Sequence, residues 1–136
     1  MKRIFALCVL FISLVSCSLS DDNSNNFHFE ILPVESVVMP EQFTLGETYE
    51  IKVSYLRPSS CHIFNDFYYQ SNLNQRTIAI VTTVYEDVSC TQAVELVEVS
   101  FNFIVTNNGT YVFKFWQGED ESGNDIYYIV EVPVVE

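Results

Sequence analysis

Basic residues are scarce in this 136-residue chain, which has six lysines and arginines against eighteen acidic residues and a formal net charge of −12. A surface this acidic repels phosphates rather than releasing counterions from them, so we expect no nucleic-acid partner. The charge also disfavours electrostatic docking on anionic lipid. Glycine and proline number only four each, which argues against fibrous and low-complexity classes.

Motifs that carry catalysis or hold cofactors are missing as well. The chain has no glycine-rich phosphate loop, and its sequence indicates no Ser/His/Asp arrangement of the kind used in nucleophilic catalysis. His28 and His62 stand alone, without the Cys/His/Glu spacing of a zinc site. We therefore expect a non-catalytic protein with no metal and no cofactor, and a small hydrolase is the least favoured reading.

The acidic segment 119–125 supplies four acids and an asparagine, which are ligand types that calcium accepts. Its glycine does not fall at the spacing of a calcium-binding loop. A solvated hairpin tip, whose charge prevents association of strand edges, is the favoured interpretation.

The N-terminal segment has the three parts of a secretory signal. Lys2 and Arg3 precede an apolar run over 4–15 that is too short to span a bilayer. The last four residues, Leu-Val-Ser-Cys at 14–17, resemble the bacterial lipobox. That resemblance implies cleavage after residue 16, acylation of Cys17 and anchoring to a membrane through lipid, where two or more chains hold stably.

The residues after Cys17 indicate a destination. Ser18 replaces the aspartate that retains enterobacterial lipoproteins in the inner membrane, so the resemblance implies the outer membrane. Ser20-Asp21-Asp22 resembles the acidic surface-export tag of Bacteroidota lipoproteins, with a plain solvated linker as the alternative. The predicted organisation is a signal peptide at 1–16, a lipidated cysteine and flexible tether at 17–26, and one domain at 27–136.

Two of the four cysteines remain after this assignment, because Cys8 lies in the removed segment and Cys17 carries lipid. Cys61 and Cys90 would then pair in an oxidising compartment. The alternative is a reactive Cys61 thiol served by His62. Adjacent residues on a strand point to opposite faces, which disfavours that pair.

From residue 27 onward the hydrophobic pattern has period two, and no window favours a helix. Seven strands are predicted, at 28–38, 48–56, 61–69, 76–85, 94–106, 110–117 and 126–134. Pro33 and Pro133 cannot donate to a ladder, so the first and last strands should be edges or bulged there. The spacing is typical of an all-β antiparallel sandwich.

The segment Asn107-x-Gly109-x-Tyr111 resembles the entry into the sixth strand of immunoglobulin-like domains. The resemblance implies an immunoglobulin-like β-sandwich in which the Tyr111 hydroxyl bonds the preceding loop. Phe113 stands where an antibody domain has its second core cysteine, and the single tryptophan is on the sixth strand. The resemblance is therefore architectural, and such folds host many functions.

The immunoglobulin-like arrangement would make the third, sixth and seventh predicted strands neighbours. Pairing about the last loop places Trp116 near Tyr127, and Tyr68 or Tyr69 would join them on an outer face. An exposed aromatic patch marks a protein or glycan contact. The alternative is aromatic pairing that only stabilises the sheet. The sequence thus favours adhesion, partner binding or accessory assembly, with a glycan-binding accessory module as the second hypothesis.

Overall fold

The computed structural model describes residues 26–136, so the predicted signal peptide, Cys17 and the tether up to residue 25 lie outside the described residues. Nine strands and no helix form in the described part of the chain. In order they are β1 (Phe27–Leu32), β2 (Val34–Val38), β3 (Phe43–Thr44), β4 (Thr48–Arg57), β5 (His62–Asn72), β6 (Gln75–Tyr85), β7 (Glu95–Ile104), β8 (Thr110–Glu119) and β9 (Asp125–Val135). A helix able to cross a membrane is therefore not found within 26–136.

The strands form two packed sheets. The larger sheet has six strands, in the order β1–β6–β8–β9–β3 with β5 also paired to β6. The smaller sheet has the order β2–β4–β7. Neighbours are antiparallel except for β6 with β8 and β3 with β9. Both sheets contribute buried hydrophobic side chains to one shared core, which confirms the predicted all-β sandwich.

The first predicted strand, residues 28–38, is two strands in the structure. Strand β1 pairs with β6 in the larger sheet, and β2 pairs with β4 in the smaller one. Pro33 lies between them and has neither an N–H for the ladder nor a free φ. The chain therefore crosses from one sheet to the other at Pro33. The two-residue strand β3 had no counterpart in the predicted seven, which brings the count to nine.

One predicted neighbour is wrong. The strand beside β8 is β6, in parallel, whereas β5 lies one place further out and pairs with β6. Strand β6 is buried along most of its length, which is typical of a central strand. Strand β5 carries Asn65 and Asp66 at a bulge, which is typical of an edge strand.

The β8–β9 hairpin has its predicted register. The expected cross-strand pairs all form, namely Trp116–Tyr127, Lys114–Ile129 and Val112–Glu131. The alternate residues of β8 are fully buried in the core: Tyr111, Phe113 and Phe115. A hairpin is a local structure whose loop sets its register, which is why this part could be read from the sequence.

Tyr111 forms the corner that the immunoglobulin-like resemblance implied. Its hydroxyl accepts hydrogen bonds from the backbone N–H groups of Thr106 (3.3 Å) and Asn107 (3.0 Å). Gly109 has a φ of 95°, a conformation that glycine adopts without strain. The Tyr111 ring meets the Phe103 ring of β7 edge-on at 4.9 Å, so the corner joins the two sheets.

Cys61 and Cys90 form the predicted disulfide, with their Cα atoms 5.5 Å apart, so the alternative of a reactive Cys61 thiol is wrong. Beside the bridge, the Ser60 N–H donates to the Thr91 carbonyl (2.9 Å) and the Thr91 N–H donates to the Ser60 hydroxyl (2.8 Å). The bridge spans 29 residues. Closing a loop of that length stabilises the fold by roughly 3–4 kcal/mol in the chain-entropy model.

Candidate binding face

The outer surface of the six-stranded sheet carries a continuous set of aromatic and aliphatic side chains. We call this surface the aromatic face. It consists of Phe27, Phe29, Ile31, Ile63, Tyr68, Tyr85, Trp116 and Tyr127.

Strand register brings these side chains together. Phe29 lies opposite Thr83, which in turn lies opposite Ile63 on the other side of β6. Residues directly opposite one another project to the same face of a sheet, so this row is continuous across three strands. Phe27 lies opposite Tyr85, with the two ring centres 6.4 Å apart.

A cleft crosses the aromatic face where the predicted aromatic residues meet. Tyr68, Trp116 and Tyr127 line a cavity of about 290 Å³ together with Ile31, Thr77 and Ala79. Of the two tyrosines considered for this cluster, Tyr68 is the one that joins it. It does so across β6 rather than as a direct neighbour of β8.

The cleft arises from a change of partner along β6. Strand β8 pairs with β6 as far as Phe115 and Ile78, and β1 takes over at Leu32, opposite Ile80. Ala79 lies between these two positions and lines the cavity. Because its side chain is a single methyl group, the gap between β8 and β1 stays open.

One end of the cleft is polar. The Trp116 Nε1–H donates to Asp125 Oδ1 at 3.0 Å. Burial raises the pKa of Tyr127, and the Asp125 carboxylate raises it further by its charge and a hydrogen bond. Lys114 Nζ lies 4.3 Å from the centre of the Tyr127 ring. The cleft thus combines aromatic walls with the carboxylates of Asp125 and Glu119, while the Lys114 ammonium group lies beside the Tyr127 ring outside its lining.

Tyr69 lies elsewhere, because successive residues of a strand point to opposite faces. Its ring packs against Phe101 of β7 with centres 5.8 Å apart. Its hydroxyl accepts a hydrogen bond from Arg76 Nε at 3.0 Å. Tyr69 therefore belongs to a second groove on the flank of the sandwich.

Strand β1 contributes the part of the face that sequence reasoning missed. Phe27, Phe29 and Ile31 alternate with His28 and Glu30, which in a half-buried strand indicates that the apolar residues face the core. The structure shows them exposed instead. The sequence feature that could have indicated this exposure is the pair Phe27 and Phe29, which stand beside polar residues at the start of the domain.

The histidines take part in polar contacts at the edge of the larger sheet. His62 lies between the Ser59 hydroxyl (2.8 Å) and the Glu30 carboxylate (3.1 Å). His28 contacts the Glu86 carboxylate at 2.7 Å. Within residues 26–136, no group of three or more His, Cys, Asp or Glu side chains is placed to hold a metal ion.

The acidic segment 119–125 is a hairpin tip that uses a carboxylate internally. Asp120 accepts hydrogen bonds from the N–H groups of Asn124 and Ser122, each at 2.9 Å. These bonds, that of the Asn124 backbone first, hold the pKa of Asp120 below its usual value. The carboxylate therefore shapes the turn that carries Asp125 to the cleft.

A family model described as the ORF11 beta-sandwich domain matches residues 51–133, which is more than half of the chain. The chain belongs to this family. The part that matches the ORF11 beta-sandwich domain contains Tyr68, Trp116 and Tyr127, whereas β1 precedes it. Neither the curated proteins nor the solved structures contain a match.

Proposed function

We propose that this chain is a lipid-anchored, non-catalytic outer-membrane protein whose β-sandwich binds a partner protein through the aromatic face. The exposure of that face is the observation that carries the proposal. Phe29 is 60% exposed and Phe27 is 51% exposed. Soluble proteins rarely leave large contiguous apolar patches open to water unless the patch contacts a partner.

Stabilisation of the sheet alone accounts less well for these side chains. A ring contributes to stability mainly in proportion to the apolar area that it removes from water. Phe27 and Phe29 contact each other with ring centres 5.6 Å apart, yet each leaves half or more of its surface exposed. A partner would bury that remaining area.

Charge at the margin of the aromatic face indicates the character of the partner. The outward or adjoining carboxylates are Asp66, Glu86, Glu119, Asp125 and Glu131. Complementary charge guides protein association and excludes wrong partners. The partner surface that fits best therefore has an apolar centre and a basic rim.

Anchoring would keep the aromatic face close to the membrane. If Cys17 carries lipid, ten residues at 17–26 connect it to β1, which begins at Phe27. A chain of that length reaches at most roughly 33–36 Å. The start of β1, and with it Phe27, therefore lies within that distance of the membrane surface.

Metabolic labelling tests the anchor. Bacteria exporting the chain should incorporate labelled palmitate into it, and Cys17→Ser should abolish both the label and recovery with membranes. Cys61→Ser serves as the matched cysteine control and should keep the label. Labelling that survives Cys17→Ser contradicts the proposal.

Site-specific photo-crosslinking in the exporting cell tests the binding face. Benzoylphenylalanine at Phe29 should give a discrete crosslinked protein. The same probe at Leu96 is the control, because Leu96 is 64% exposed on the outer surface of the smaller sheet. Equal crosslinking from both positions, or none from either, contradicts binding through the aromatic face.

The cleft gives one specific reason to keep a glycan as the second candidate ligand. Aromatic rings beside carboxylates suit the apolar faces and hydroxyl groups of a sugar, and here Trp116 already contacts Asp125. A glycan array separates the two candidates. Binding that Trp116→Ala abolishes and Phe29→Ser leaves intact supports the glycan, and an array without binding removes it.

A further inference from the structure

A groove on the flank of the sandwich contains a buried cation that the aromatic face does not use. The groove lies where β5 and β7 form the edges of the two sheets, and it has a volume of about 490 Å³. Its lining includes Phe67, Tyr69, Phe101 and Phe103, with Arg76 among these aromatic rings.

Arg76 is held rigidly in this groove. Only 9% of its surface is exposed, and its guanidinium carbon lies 5.3 Å from the centre of the Tyr111 ring and 5.6 Å from that of Phe103. Its Nε donates to the Tyr69 hydroxyl at 3.0 Å. Its Nη1 donates to the carbonyls of Leu73 (2.6 Å) and Gln75 (3.0 Å).

Within the described residues, Arg76 has no carboxylate at ion-pair distance, although Asp66 lines the same groove. Among residues 26–136, no carboxylate forms an ion pair with it, and its Nη2 donates no hydrogen bond. By contrast, Arg57 pairs with Glu95, and Lys52 approaches Glu50. Arg76 is 9% exposed and has no such contact within residues 26–136.

Physical chemistry indicates what would complete this arrangement. The Tyr69 hydroxyl, two carbonyls and two aromatic rings engage Nε, Nη1 and the guanidinium plane of Arg76. A carboxylate is the group that matches a guanidinium in charge and geometry, through short charge-assisted hydrogen bonds. Nη2 is the donor that remains open for it.

We propose that the groove binds a small organic monocarboxylate with an apolar body, its carboxylate on Arg76 Nη2 and its body against Phe67, Tyr69 and Phe101. Asp66 lines the same groove, and its negative charge disfavours a second anionic group on the ligand. This site is separate from the aromatic face and does not depend on the function proposed for that face.

Side-chain NMR of the full exported chain tests the proposal with 3-phenylpropionate as the probe. The Arg76 Nε–Hε resonance, assigned by its loss in Arg76→Lys, should shift and saturate as the acid is added. The uncharged analogue 3-phenylpropionamide and inorganic phosphate should leave it in place. No shift with the acid, or an equal shift with the amide, overturns the proposal.

Two substitutions at Ser71 test the carboxylate site without replacing Arg76. Arg76 also bonds the turn at Leu73, so its replacement affects more than binding. Ser71 lines the groove, and Ser71→Asp should weaken binding of the acid by at least about tenfold through repulsion. Ser71→Asn has nearly the same shape without the charge and should bind as the wild type does. Equal affinity in both variants contradicts a carboxylate at this position.

Discussion

The outer surfaces of the two sheets differ in chemistry although the same alternating pattern builds both. On the smaller sheet, β4 and β7 present polar side chains that we call the polar face: Glu50, Lys52, Glu98, Ser100 and Asn102. Exposed apolar residues on this surface are Val38 of β2, opposite Lys52, and Leu56, Leu96 and Ile104 at the ends of β4 and β7, and none of them is aromatic. On the larger sheet, the aromatic face continues across β1, β5, β6, β8 and β9.

This difference between the two outer surfaces is the basis for placing the proposed partner contact on the larger sheet. Along β4 and β7, charged and polar side chains occupy the outward positions between the apolar ends. The aromatic face departs from this arrangement in the rows from Phe27 to Ile31 and around Trp116. The contrast supports assigning contact with a partner to one sheet and not to the other.

The largest expected effect compares inward and outward rings on the same strand. Phe113 is fully buried and packs on Phe103 at 5.1 Å, so Phe113→Ala should lower the free energy of unfolding by about 3–5 kcal/mol. Trp116→Ala, on the aromatic face, should cost much less. Urea unfolding in a Cys17→Ser background measures both. A similar loss of stability from Trp116→Ala would indicate that the aromatic face serves to stabilise the sandwich and not to bind a partner.

The disulfide should give the next largest effect, because it ties the connection after β6 to the turn before β5. Replacing Cys61 and Cys90 together by serine should lower the free energy of unfolding by roughly 3 kcal/mol. Ser60→Ala, which removes only the hydroxyl that accepts from the Thr91 N–H, should cost about 1 kcal/mol. Guanidinium unfolding compares the two variants. Equal losses would show that the bridge adds little beyond the hydrogen bond.

The smallest effect tests the polar end of the cleft. Spectrophotometric or NMR titration should find the pKa of Tyr127 above 10.0, and Asp125→Asn should lower it. The pKa of Tyr127 is higher in the folded state than in the unfolded state, so its contribution to the free energy of unfolding is fully present below the unfolded pKa of about 10. That contribution is lost as the pH rises through the folded-state pKa. Glu119→Gln, in the same cleft, is the control and should leave this pKa largely in place. An unchanged pKa in Asp125→Asn would contradict the contact.

Local features of the fold were predictable from sequence, and non-local ones were not. The β8–β9 register, the inward rings of β8 and the Tyr111 corner depend on neighbouring residues and were predicted. The parallel pairing of β6 with β8 joins strands separated by all of β7, and no local pattern encodes it. The immunoglobulin-like resemblance therefore predicted β5 beside β8, a position that β6 occupies in the structure.

The candidate site was predicted in part for the same reason. Trp116 and Tyr127 follow from the hairpin, and Tyr68 joins them only because β6 lies between β5 and β8. The exposure of Phe29 depends on which face of β1 packs inward, and alternation alone does not specify that. No sequence pattern singled out Arg76, and its burial depends on the Phe103 ring that the other sheet supplies.

A crosslinking scan over both outer surfaces determines whether the partner contacts the aromatic face or the polar face. Benzoylphenylalanine would be placed singly at Phe27, Ile63 and Tyr68 on the aromatic face, and at Lys52, Glu98 and Ser100 on the polar face. We expect the first three positions to crosslink the same protein in exporting cells and the last three to give no crosslink to it. Crosslinks to that protein from the polar face alone, or from both faces equally, would contradict binding through the aromatic face.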